Sequence, residues 1–150
     1  MDRRKEIQEL RKGNIVFMLV EDDYDQEVIV SRVVKNSKIA KDFVFTRNGK
    51  EALDYIFGEG SYSDRDISIM PEIILLDLKL PKIGGFEVLK RLKSDIQTKD
   101  IPVVVYSSSC EEADKARSYQ LGAYDYIDKP LDTRKFEKII KGLGFSFSTG

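Results

Sequence analysis

The sequence predicts a (βα)5 domain of the α/β class, an open and doubly wound parallel sheet in one unit, on three observations. Apolar stretches of strand length alternate five times with stretches whose apolar residues recur at helical spacing. The helical stretches are long enough to act as crossovers, which pairs the strands in parallel through right-handed connections. Four strand-like stretches also stop at residues able to handle phosphate or a hard cation. Ile15 to Val20 precedes Glu21 and Asp22, Ile73 to Leu76 precedes Asp77, Val103 to Tyr106 precedes Ser107, and Tyr124 to Ile127 shortly precedes Lys129. In such a sheet the ligand site lies outside the carboxyl ends of the strands, so topology alone gathers these residues in one cleft.

Each element has its own signal. Residues 1–14 are dense in charge, with Ile7 and Leu10 as the only internal apolar residues, and read as an N-terminal arm. The domain runs from 15 to 143 and a tail from 144 to 150, whose Phe145 and Phe147 are able to pack back. Val30, Val33 and Val34 mark the first helical face. Phe43 to Thr46 is the second strand and alternates least clearly. Asn48 and Gly49 suit a helix entry before the face of Ala52, Leu53, Ile56 and Phe57. The glycines and serines of 58–71 mark a long loop. Gly84 and Gly85 precede the third helical face, Val88, Leu89 and Leu92. Ser109 to Glu112 reads as a capping box for the fourth helix, which closes at Gly122. Asp132 caps the fifth, whose apolar face is Phe136, Ile139, Ile140 and Leu143.

Composition narrows the function classes. At 150 residues and 41% hydrophobic content, one domain buries about two thirds of its unfolded surface. A formal net charge of -1 offers no broad electrostatic attraction for nucleic acid, so contact with DNA would need another protein. The apolar runs fall short of the roughly 20 residues that span a bilayer, and no signal-peptide core is present, which predicts a cytoplasmic protein away from membranes. The single cysteine, Cys110, forms no internal disulfide. The absence of histidine excludes a Ser-His-Asp triad and phosphohistidine on this chain, so any phosphohistidine belongs to a partner.

The strand-end residues define the chemistry. Glu21, Asp22 and Asp77 would repel one another unless they share a cation, and Mg²⁺ suits them as a small, hard ion with oxygen ligands. Asp22 and Asp77 are the expected direct ligands, with the Lys79 backbone carbonyl as a third and Glu21 acting through water. Asp77 follows four aliphatic residues, a position that packing would not choose for a carboxylate, and is the candidate nucleophile for an aspartyl phosphate. Lys129 and the cation would neutralise the equatorial oxygens, and Ser107 would donate a hydrogen bond to them. Taken singly, each residue has a plainer reading: a helix cap, an exposed lysine before Pro130, a polar serine loop. Their combination favours the site.

These residues in this order carry a family resemblance. Val20-Glu21-Asp22-Asp23, then Ile74 to Pro81 with Gly84 and Gly85, then Pro102 to Ser107, then Lys129-Pro130 resembles the receiver domain of two-component response regulators, over Ile15 to about Leu143. The long loop and Arg47 to Leu53 look most like stand-alone receivers that partner phytochrome-type sensor kinases. The resemblance implies a flavodoxin-like sheet of strand order 2-1-3-4-5, with Asp77 as phosphoacceptor, Glu21 and Asp22 as the acid pair and Lys129 as the phosphoryl-contacting lysine. It also implies Ser107 as switch hydroxyl and Tyr126 as the rotating aromatic. The chain would then be a signalling domain rather than an enzyme, limited to self-phosphorylation from phosphodonors and autodephosphorylation. A sensor histidine kinase or phosphotransfer protein would supply the phosphoryl group, and an unidentified downstream protein or a homodimer would carry the signal. Tyr119, Phe136, Phe145 and Phe147 are aromatic candidates for a dimer face, although core or tail packing is the plainer reading of each.

Three rivals compete with this reading. A phosphatase similar to the haloacid dehalogenases would carry a second aspartate where Lys79 stands. A mononucleotide carrier would want glycine and hydroxyl residues where Glu21-Asp22-Asp23 stands. A phosphorylation-independent interaction module would keep the fold and need none of the chemistry.

Overall fold

A computed structural model describes residues 15–109 and 111–145. Its sheet is built around β1 (Ile15–Val20), all of whose side chains are buried. Four more parallel strands complete it: β2 (Ala40–Thr46), β3 (Ile73–Leu76), β4 (Val103–Ser107) and β5 (Asp125–Asp128). Their spatial order is 2-1-3-4-5, as the resemblance implies. The crossovers are α1 (Tyr24–Ser37), α2 (Gly49–Phe57), α3 (Gly85–Ser94) and α4 (Glu112–Gln120), and α5 (Thr133–Gly142) follows the last strand. No helix among the described residues is long and apolar enough to cross a membrane.

Because strand side chains alternate between faces, the sheet feeds two apolar layers. Phe17, Leu19, Ile73, Leu75, Val104 and Tyr106 pack with Val30 and Val34 of α1 and Phe136, Ile139 and Ile140 of α5. Phe17 stacks on Phe43 at 5.7 Å and meets Phe136 edge-on at 5.8 Å. Met18, Val20, Ile74, Leu76, Val103 and Val105 face the other way, onto Ala52, Leu53 and Ile56 of α2 and Val88, Leu89 and Leu92 of α3. Phe145 of the expected tail is buried in the first layer. Residues 1–14 and 146–150 lie outside the described residues, and with them the whole of the expected arm and the tail beyond Phe145.

Local boundaries follow the capping chemistry at some ends and depart from it at others. Asn48 accepts a hydrogen bond from the Glu51 amide at 2.8 Å, and Asp132 accepts one from the Lys135 amide at 2.8 Å, as helix entries should. The second strand begins at Ala40, earlier than its alternation indicated, because pairing with β1 extends it. The fifth strand is displaced by one residue, to Asp125–Asp128, by its register with β4. The expected capping box at Ser109 does not form. Helix α4 starts later, at Glu112, and the Ser109 hydroxyl donates instead to Asp114 Oδ2 at 2.8 Å while accepting from the Glu111 amide at 3.2 Å.

Within the loop 58–71, Arg65 makes the largest set of side-chain contacts to the rest of the domain. Arg65 donates to the carbonyls of Tyr55 and Ile56, in the last turn of α2, and to those of Asp66 and Ile69 within the loop. Its guanidinium also lies 4.1 Å from the centre of the Tyr55 ring. Hydrogen bonds from a charged donor exceed neutral ones, so Arg65→Ala should cost about 2 kcal/mol in urea unfolding and speed amide exchange through 58–71. A loss below about 0.5 kcal/mol would show that other contacts hold the loop.

Candidate functional site

The carboxyl edge of the sheet brings the acids together. Glu21 continues β1, its amide bonding to the Thr46 carbonyl at 3.0 Å, and Asp77 continues β3, its amide bonding to the Val20 carbonyl at 3.0 Å. Glu21, Asp22 and Asp77 each offer a carboxylate oxygen within 4.8 Å of the other two. Lys129 reaches the same cleft from the connection after β5. Its Nζ lies 2.6 Å from Glu21 Oε2 and 3.5 Å from Asp77 Oδ2. The Lys129-Pro130 peptide bond is cis. Four residues from three separate strand ends thus meet.

Burial sets the electrostatics. Glu21 is fully enclosed and Asp77 nearly so, whereas Asp22 is exposed. Desolvation pushes the Glu21 carboxyl up to about 7, aided by the Asp77 charge and opposed by the contact with Lys129. Three carboxylates with a single ammonium leave excess negative charge, which suits a hard divalent cation in both donor type and sign.

The loop after β3 is held tightly beneath Asp77. Asp77 Oδ1 accepts the Lys79 amide at 3.3 Å, while the Lys79 side chain points to solvent. A Cβ on Gly85 would come within 2.3 Å of the Asp77 carbonyl oxygen, and one on Gly49 within 2.1 Å of the Ile83 carbonyl oxygen. Only glycine permits these approaches. They let the amides at the start of α2 hold the loop, with Lys50 donating to the Lys82 carbonyl at 3.0 Å. Lys82 and Ile83 adopt left-handed φ values of 46° and 72° there, which is costly for a β-branched side chain.

Ser107 ends β4 and is buried; its Oγ accepts the Ser109 amide at 3.0 Å, leaving its own proton to donate. The Ser107 carbonyl accepts the Lys129 amide at 3.1 Å, which fixes these two residues side by side. Tyr126 is largely buried, and its hydroxyl donates to the Ser109 carbonyl at 2.9 Å. Ser107 and Tyr126 are therefore linked through Ser109, a role the sequence did not reveal because it saw a helix cap there. Tyr106 was also missed. It is fully buried beneath Lys129, whose Nζ sits 5.4 Å from the ring centre. A tyrosine directly after three valines in the strand was the available signal, since a buried phenol needs a partner.

Fold and cleft together define a phosphoryl-signalling α/β domain, and comparison with known proteins agrees. Residues 17–141 match the response regulator receiver domain family, and the chain belongs to it. It is similar to the response regulator Rcp1 of Synechocystis sp., with 36% identity over 128 residues and 85% of each chain covered. The crystal structure of the Mn²⁺-bound form of Rcp1 aligns with a TM-score of 0.74 at 34% identity, covering 91% of this chain and 97% of that one. The bacteriophytochrome response regulator RtBRR aligns with a TM-score of 0.80 at 38% identity over 91% of this chain and 81% of that one. The phosphorylated cyanobacterial phytochrome response regulator RcpA gives 0.74 at 38% identity, over 87% and 91% respectively.

Two outcomes follow from the clustered acids. In chelator, Asp22→Asn removes one like charge, so its thermal midpoint should rise by about 2 °C while divalent-cation affinity falls. A lower midpoint with affinity intact would contradict the cluster. Because the folded state raises Glu21 from 4.5 to about 7, it binds a proton more tightly than the unfolded state over that range. Glu21 thus contributes stability that is present below pH 4.5 and lost as pH rises to about 7, a change on the order of 3 kcal/mol at most. Denaturant titrations in chelator should show this fall in the wild type relative to Glu21→Gln, and identical pH profiles would contradict it.

Proposed function

We propose that the chain accepts a phosphoryl group on Asp77 from a phosphohistidine of a sensor histidine kinase or phosphotransfer protein, and passes the signal on by protein contacts. The observation that carries this reading is the approach of Lys129 to both Glu21 and Asp77 in a cleft rimmed by Asp22. An Asp77 carboxylate oxygen attacks phosphorus, a P–O bond forms as the donor's P–N bond breaks, and the imidazole leaves. Lys129 neutralises charge on the transferring group, and the free Ser107 proton donates to one of its oxygens. Glu21, Asp22, Asp77 and the Lys79 carbonyl would hold Mg²⁺, which supplies further neutralisation of the phosphoryl oxygens when bound. The existence of an Mn²⁺-bound form of Rcp1 supports divalent-cation binding by this chain as well. Similarity to bacteriophytochrome and cyanobacterial phytochrome response regulators supports a phytochrome-type kinase as the donor.

Phosphorylation would take Asp77 from a charge of -1 to near -2 and add acceptor oxygens. Ser107 turns toward them, and because Tyr126 is bonded to the same loop at Ser109, the change reaches the face formed by α4, β5 and α5. A downstream protein or a second copy of the chain reads that face, in the cytoplasm and without direct contact to nucleic acid.

Incubated with acetyl phosphate and Mg²⁺, the wild type should acquire acid-stable, hydroxylamine-labile phosphate and Asp77→Asn none. Undiminished labelling of Asp77→Asn would remove Asp77 from its role. A wild type inert to every donor would instead favour an interaction module that works without phosphate.

A further inference from the structure

We propose that Tyr106 is a positioning residue for the chemistry at Asp77, holding the Lys129 ammonium in place from below; this rests on the phosphoacceptor reading above. The phenol uses its full hydrogen-bonding capacity on two different elements. Its O–H donates to Gln26 Oε1 on α1, and its oxygen accepts the Leu131 amide at 2.8 Å. Both partners flank the site: Gln26 lies in the helix that follows Glu21 and Asp22, and Leu131 lies two residues beyond Lys129. The tyrosine therefore ties the acid-pair side of the cleft to the lysine side, from the end of the strand between them.

Its ring adds a second hold. Lys129 Nζ is 5.4 Å from the ring centre, so the ammonium is bracketed by an aromatic face beneath it and by Glu21 and Asp77 beside it. Burial pushes the phenol up to about 12, so its proton stays in place to serve Gln26 at any working pH. Packing alone does not explain the residue. Val103, Val104 and Val105 precede it, all fully buried, and a further aliphatic side chain would fill the layer without bringing a polar group into it. A polar group bonded at that depth restricts the Lys129-Pro130-Leu131 connection to one placement.

The test is a double-mutant cycle on the full chain, reading the rate constant for phosphorylation by acetyl phosphate in Mg²⁺. Tyr106→Phe keeps the ring and removes the hydroxyl; the rate should fall about threefold or more, with Mg²⁺ affinity unchanged because the acids are untouched. In a Lys129→Ala background the same substitution should change the rate by less than about twofold, since its effect acts through the lysine. A wild-type rate for Tyr106→Phe overturns the proposal, and so does equal slowing in both backgrounds, which would mark general loosening. A wild type that takes no phosphate overturns the phosphoacceptor reading alone. Positioning is then decided by the Lys129 side-chain NMR resonances: a shift in Tyr106→Phe supports it, and unchanged resonances overturn it.

Discussion

The enclosed ion pair between Glu21 and Lys129 is the interaction on which the rest of the site depends. A carboxylate removed from water costs several kcal/mol unless its charge is met, and Glu21 is fully buried in a cleft that already holds Asp77. Lys129 offsets part of that cost from 2.6 Å away and stays within 3.5 Å of Asp77. To do so it must cross over the end of β4, because β1 and β3 carry the acids while the lysine leaves the sheet after β5. The sheet order, the short connection at 129–131 and the aromatic surface of Tyr106 all serve that crossing.

Around this pair the cleft combines a fixed side and an adjustable side. On the fixed side, the loop after Asp77 is pressed against the start of α2 and the start of α3 at distances that admit no side chain on Gly49 or Gly85. Shifting Asp77 would require moving two helices that bury Leu53, Ile56, Val88 and Leu89 in the core. On the adjustable side, Ser107 and Ser109 are held by a few hydrogen bonds rather than by buried helices, each bond worth on the order of 1 kcal/mol. A complete population reversal takes about 5.5 kcal/mol of differential stabilisation, within reach of a phosphoryl group that gains charge-assisted contacts. Helix α4 fits the adjustable side: Ser118 is its one buried residue, so displacing it exposes little apolar surface.

Much of the fold was legible because its signals are local. The alternation of strand and helix periods, the caps at Asn48 and Asp132 and the polar residues that stop four strands all lie within a few positions of the features they predict. Where a local signal had a competitor it misled. Ser109 carries the spacing of a capping box, yet its hydroxyl finds Asp114, and α4 begins later. The start of β2 was hidden because its pairing with β1 governs it more than its own weak alternation does.

Sequence alone determined the class of fold and which side chains stand at the carboxyl edge, because backbone geometry converts residue spacing directly into strand, helix and face. Only the tertiary structure decided how those side chains act on one another. Lys129 pairs with Glu21 more closely than with Asp77, burial raises the Glu21 carboxyl above the usual carboxylate range, and Tyr106 joins residues that lie 80 and 25 positions away. Charge pairing and desolvation depend on distances across strands and on the exclusion of water, and neither exists until the chain has folded.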